Sequence, residues 1–175
     1  MHKCFLLIAV GLFATCGLVL AKEPQAQPPE SELTDATFLV TGLHCPPCAT
    51  VIERSLAKEN GVKSITVDWK TKQAHAAFDE KKLSAQEIAN LIGRTPHMMG
   101  GKLRYAGWLA LNVKELDDTS EEKVSELLGK IEGVKRVVPY PKQHVVGIQF
   151  SERGRLTDRQ LIDTLSHAGY HVKNL

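Results

Sequence analysis

From residue 36 onward the chain repeats one pattern with a period of about seventy residues, too long for a solenoid unit and right for two small folding units in tandem. Glu59-Asn60-Gly61-Val62-Lys63-Ser64-Ile65 answers to Ile131-Glu132-Gly133-Val134-Lys135-Arg136-Val137, Phe78 to Phe150, and Ile88 with Ile92 to Leu161 with Leu165. In each copy the apolar spacing predicts strand, helix, strand, strand, helix, strand, an α+β arrangement. In the first copy Thr37-Phe38-Leu39-Val40 is the opening strand, and the helix up to Lys58 carries Val51, Ile52 and Leu56 before closing at Asn60-Gly61. Ile65, Val67 and Trp69 alternate with polar residues, and Ala74, Ala76 and Phe78 supply the inner side of the third strand. Ser84 and Glu87 form a capping box for a helix whose Ile88, Leu91 and Ile92 face the sheet, and the last strand is expected between Met98 and Tyr105. The second copy starts at Trp108–Val113. Its first helix, with Val124, Leu127, Leu128 and Ile131, is expected to be capped by Thr119 with Glu122.

The first copy holds something the second lacks. Gly42-Leu43-His44-Cys45-Pro46-Pro47-Cys48 joins the opening strand to the first helix, whereas the second copy has Asp117, Asp118, Thr119 and Ser120 there. Pro47 suits the first helical position, and Pro46 pushes Cys45 towards extended backbone. Cys45 thus belongs to the loop and Cys48 to the first helical turn. A helix N-terminus favours thiolate over thiol, although two prolines remove two N–H donors from this one. Two thiolates on a stiff turn can approach one ion from roughly opposite sides, and sulfur selects soft ions such as copper(I) or mercury(II) over magnesium or calcium. Two protein ligands leave the ion under-coordinated, which permits ligand exchange with another dithiol.

Residues 1–21 have a basic start at His2-Lys3, an apolar run from Phe5 and small residues up to Ala21, the layout of a cleaved signal peptide. An uncleaved membrane anchor is the alternative, because the run is nearly long enough to span a bilayer. No other stretch of the chain has that character. Export implies a periplasmic or secreted protein. Of the four cysteines, Cys4 and Cys16 would leave with the leader, and one close pair makes no disulfide framework. Residues 22–35, rich in Pro, Gln and Glu, read as a disordered tether. A net charge of +2 with both signs interleaved argues against nucleic acid or an anionic membrane as partner.

The loop and the order of elements together resemble the heavy-metal-associated (HMA) domain, a ferredoxin-like βαββαβ unit. The family pattern Gly-Met-x-Cys-x-x-Cys is matched at Gly42, Cys45 and Cys48. Leu43 replaces the methionine, which packs beneath the loop, and leucine should preserve that packing. The resemblance implies an HMA domain over 36–105 with the Cys-x-x-Cys site and a degenerate, cysteine-free HMA-like domain over 106–175. It further implies a carrier or scavenger of copper(I) or mercury(II), with zinc a weaker fit, and no enzymatic turnover. Its partners would be the metal ion and a membrane metal transporter or other dithiol metal-binding domain, without a small-molecule substrate.

The repeat aligns Thr95-Pro96-His97-Met98-Met99 with Ala168-Gly169-Tyr170-His171, the loop that in HMA domains lies beside the cysteines. His97 is therefore a candidate third ligand beside Cys45 and Cys48, the alternative being that it only packs. His44 next to Cys45 could favour the thiolate electrostatically. His75, His144, His167 and His171 read as surface residues. Two other functions fit the cysteines: an exported thiol-disulfide oxidoreductase, since Cys-Pro-Pro-Cys resembles a thioredoxin-type motif, and a non-metal interaction module with an idle disulfide. The cysteine-free repeat of the same elements argues against the first.

Overall fold

The computed structural model describes residues 33–175. The expected signal peptide and most of the expected tether lie outside the described residues, and Leu33-Thr34-Asp35, expected in the tether, already belong to the first strand. The described residues form β1 (Leu33–Thr41), α1 (Pro46–Leu56), β2 (Val62–Asp68), β3 (Gln73–Asp79), α2 (Ala85–Arg94), β4 (Ala106–Val113), α3 (Glu121–Gly129), β5 (Val134–Tyr140), β6 (Val145–Phe150), α4 (Asp158–His167) and β7 (Val172–Asn174).

The strands make a single antiparallel sheet in the order β2-β3-β1-β4-β6-β5, with β7 also paired to β4. Both ferredoxin-like patterns can be traced in it, β2-β3-β1-β4 and β5-β6-β4-β7, and β4 belongs to each. Residues 106–110 of β4 pair with β1, 111–113 pair with β7, and 109–112 pair with β6. The element order is compatible with a tandem arrangement, but the sheet is continuous, and the boundary expected between residues 105 and 106 falls at the first residue of this common strand. No strand forms between Met98 and Tyr105; that stretch is turns and irregular backbone, and β4 begins only after it.

Alternation along the strands decides which face the helices cover. Phe38 lies opposite Leu109, Leu109 opposite Ile148, and Leu111 opposite Val146, so these buried side chains share one face of the sheet. Ile52, Leu56, Ile88, Ile92, Val124, Leu128, Leu161 and Leu165 from the four helices meet them in one apolar core. Each such side chain, fully removed from water, contributes roughly 1.5–3 kcal/mol. Gly107 falls on the same face, where a Cβ would stand 2.9 Å from the Ala89 carbonyl oxygen, so the glycine lets α2 settle directly on β4. Trp69 departs from expectation: it follows the last residue of β2 and is 37% exposed, since the strand ends before the alternation can turn it inward.

Local signals are met unevenly. The Ser84–Glu87 capping box of α2 is present in full, with the Glu87 N–H donating to Ser84 Oγ at 3.2 Å and the Ser84 N–H to the Glu87 carboxylate at 2.7 Å. The box expected at Thr119 and Glu122 does not form. Asp117 instead accepts from the N–H groups of Thr119 and Ser120, and α3 starts after Ser120 without a side-chain cap.

Candidate metal site

The site begins where β1 ends. Gly42 takes a positive φ of 85°, and a Cβ there would lie 2.5 Å from the Arg104 carbonyl oxygen, so only glycine lets the loop pass this close to the segment leading into β4. Leu43 is buried beneath the loop, where the family methionine would pack. Cys45 is extended, at φ −156° and ψ 158°, and Pro46 and Pro47 take the first two positions of α1, which starts one residue earlier than Pro47 alone suggests. The Cys45 carbonyl accepts the Cys48 N–H at 3.1 Å and closes the turn. Cys45 is half-buried and Cys48 fully covered; both are free thiols, with their sulfurs 2.7 Å apart.

The two sulfurs are electrostatically unlike. Burial alone would push the Cys48 thiol up, but hydrogen bonds from the Cys45 thiol, the Tyr105 hydroxyl and the main chain at His44 and Cys45 outweigh it and hold Cys48 below the ordinary thiol value. Cys45 is pushed up, chiefly because its proton is engaged by Cys48. Cys48 is accordingly the first thiolate, and Cys45 keeps the shared proton until an ion displaces it.

Behind Cys48 stands Tyr105, buried, its own pKa pushed up to about 12 by burial and by its bond to the Cys48 sulfur. The sequence reading missed it. The repeat sets His97 against Tyr170, but the residue immediately before β4 is Tyr105, as Tyr170 nearly adjoins β7; counting back from the last strand finds it.

His97 is indeed beside the loop and is 7% exposed. Its Nε2 lies 3.0 Å from the Gly42 carbonyl oxygen and its Nδ1 3.1 Å from the Met99 nitrogen. A neutral ring with the proton on Nε2 satisfies both, donating to Gly42 and accepting from Met99. The ring also packs on Tyr105 at 4.4 Å between centroids and meets the edge of His44 at 6.0 Å. Both nitrogens are thus engaged by main chain, and ligation by His97 would require giving one up. Elsewhere, His75 is exposed and bonded to Thr37, His167 to the Asp163 carbonyl, and His171 pairs with Glu115, while His144 occupies a left-handed turn.

Chemically, the arrangement offers two sulfurs to one ion. At a metal–sulfur distance of about 2.3 Å an ion would hold them roughly 3.8 Å apart at a tetrahedral angle and about 4.6 Å apart in a line. The sulfurs must therefore separate, and Cys45, on extended backbone at the rim, is the one free to move. Among the described residues no group of three or more His, Cys, Asp or Glu side chains is placed to hold a metal, so the cysteine pair is not part of a closed cage.

Residues 37–96 match the heavy-metal-associated domain. A copper-transporting ATPase of Helicobacter pylori is 39% identical over 56 residues, 32% of this chain and 8% of that protein. The mercuric transport protein periplasmic component of an Alcaligenes species is 32% identical over 57 residues, 33% of this chain and 63% of that protein. This chain thus spans only a small part of the ATPase and less than two thirds of the mercuric protein. The copper chaperone CopZ of Staphylococcus haemolyticus is 36% identical over 53 residues, 30% of this chain and 78% of that protein. With the loop glycine and the paired thiols inside the matched stretch and 78% of a small copper chaperone covered at 36% identity, the chain belongs to the heavy-metal-associated domain family.

Proposed function

We propose that the protein binds one soft metal ion, copper(I) or mercury(II), between Cys45 and Cys48 and passes it on by ligand exchange. The observation that carries this reading is the paired free thiols at the start of α1, one sulfur already favoured as thiolate and the other half-exposed at the rim. A covered thiolate anchors the ion, while the exposed partner can be replaced by an incoming sulfur without unfolding the loop. Relatives named for copper transport, copper chaperoning and mercuric transport support soft-metal cargo. Zinc fits less well, since it favours four ligands.

The N-terminal pattern supports export and action as a carrier or scavenger outside the cytoplasm, with a membrane metal transporter or another dithiol domain as recipient. Among the described residues no helix is long and apolar enough to cross a membrane. We assign the site no catalytic turnover, and we read residues 36–105 as its metal-binding part and 106–175 as its cysteine-free counterpart. His97 serves here as a support for the Gly42 carbonyl before any role as a ligand.

Anaerobic titration of the reduced protein with copper(I), followed by calorimetry, should saturate at one equivalent, and the Cys45→Ala/Cys48→Ala variant should bind none. Equal uptake by that variant would place the ion elsewhere and overturn the assignment.

A further inference from the structure

Met98 and Met99 are 54% and 63% exposed, so neither fills a gap in the core, the usual task of methionine. Their place is set by the same contacts that build the cysteine site. The Met98 N–H donates at 3.4 Å to the hydroxyl of Tyr105, a buried residue whose backbone lies against Gly42 of the cysteine loop. One side chain therefore links the Met98 backbone to the loop that carries the cysteines. The Met99 N–H is held by His97, whose other nitrogen bonds the Gly42 carbonyl of the cysteine loop. A turn closed by the Gly100 N–H on the His97 carbonyl at 3.2 Å, with Gly100 at a φ of 115°, keeps both methionines at this rim.

We propose that the thioether of Met98 is a third ligand to the ion held by Cys45 and Cys48, and that this makes the site selective for copper(I). The inference rests on the dithiol reading above and deepens it by naming the cargo. A thioether is a neutral, soft sulfur that needs no deprotonation, and three rotatable bonds let it swing from solvent onto an ion at the rim. Copper(I) accepts such a third sulfur. Mercury(II), satisfied by two thiolates, gains little from it, and zinc prefers harder donors for its remaining positions. Met99, held through its backbone N–H by His97 rather than by Tyr105 and more exposed than Met98, is assigned no bond to the metal.

The test uses the full chain with methyl-labelled methionine. There are three methionines, Met1, Met98 and Met99, so their methyl resonances are readily assigned with Met98→Leu and Met99→Leu, exchanges at exposed positions that leave the core untouched. One equivalent of copper(I), added to reduced protein without oxygen, should shift the Met98 methyl and leave Met99 nearly unmoved, while mercury(II) and zinc(II) shift neither. Met98→Leu should lower copper(I) affinity about tenfold or more without lowering that for mercury(II), and Met99→Leu should lower neither. An unmoved Met98 methyl in protein that has bound copper(I) stoichiometrically, or a loss confined to Met99→Leu, overturns the ligand assignment and leaves the dithiol reading standing. Wild-type protein that takes up no copper(I) overturns both.

Discussion

At the scale of single residues, the site depends on Gly42 as much as on its cysteines. Gly42→Ala must accommodate both a positive φ and a Cβ 2.5 Å from the Arg104 carbonyl, and that neighbour is backbone. We expect a loss of about 1–3 kcal/mol in thermal unfolding, together with weakened metal uptake as the loop shifts away from Tyr105. A stability within experimental error of wild type would show that the loop relaxes freely. Cys45, Cys48 and the buried Leu43 were legible in the sequence because a glycine, two thiols and two prolines within seven positions constrain a turn by local chemistry alone. Tyr105 was not, for a reason of length: residues 95–105 separate α2 from β4, whereas 168–171 suffice between α4 and β7. An alignment drawn without a gap put His97 in the tyrosine's place. The structure brings both residues to the site, His97 bonded to the Gly42 carbonyl and Tyr105 packed on His97 with its backbone against Gly42.

At the scale of elements, the start of α4 holds an instability that no motif announced. Asp158 is buried, one carboxylate oxygen lacks a hydrogen-bond partner, and its pKa is pushed up to about 6, chiefly by burial and further by the nearby Glu80, against a bond from Asn174 and the charge of Arg159. A carboxyl whose folded pKa is raised binds its proton more tightly in the native state. Its contribution is therefore fully present below the unfolded value of about 4 and is lost as pH rises through about 6. Asp158→Asn imitates the protonated form at every pH. It should raise unfolding free energy by about 3 kcal/mol at pH 7.5 and by less than about 1 kcal/mol at pH 4, measured by urea denaturation. An equal effect at both pH values would assign the change to packing. Here too legibility followed locality. The Ser84–Glu87 box could be read from four residues, while at the α3 start Asp117 takes the Thr119 hydroxyl as well as the Thr119 and Ser120 N–H groups and so removes Thr119 from the cap, which a spacing rule cannot rank.

At the scale of the whole molecule, the repeat disclosed the order of elements but not that β4 serves both halves. Hydrophobic alternation defines a strand and its faces; it carries no information on which neighbour occupies each edge. Because β1, β6 and β7 all pair with β4, and the described residues form one unit around a common core, heating should give a single cooperative transition with equal calorimetric and van't Hoff enthalpies. Leu109→Ala, in the middle of β4, should lower that transition as a whole at a cost of about 2–5 kcal/mol. Two separated transitions, with only one moved by the substitution, would mean that the halves fold apart.

The central claim is that Cys45 and Cys48 hold a soft cation loosely enough to hand it to another pair of sulfurs. Copper(I)-loaded protein mixed anaerobically with a reduced dithiol acceptor measures this directly. The account predicts transfer at a rate that rises with acceptor concentration, because the incoming thiolate displaces Cys45 while Cys48 still holds the ion. A rate independent of acceptor concentration would mean that the ion must first escape to solution, and it would contradict transfer by ligand exchange.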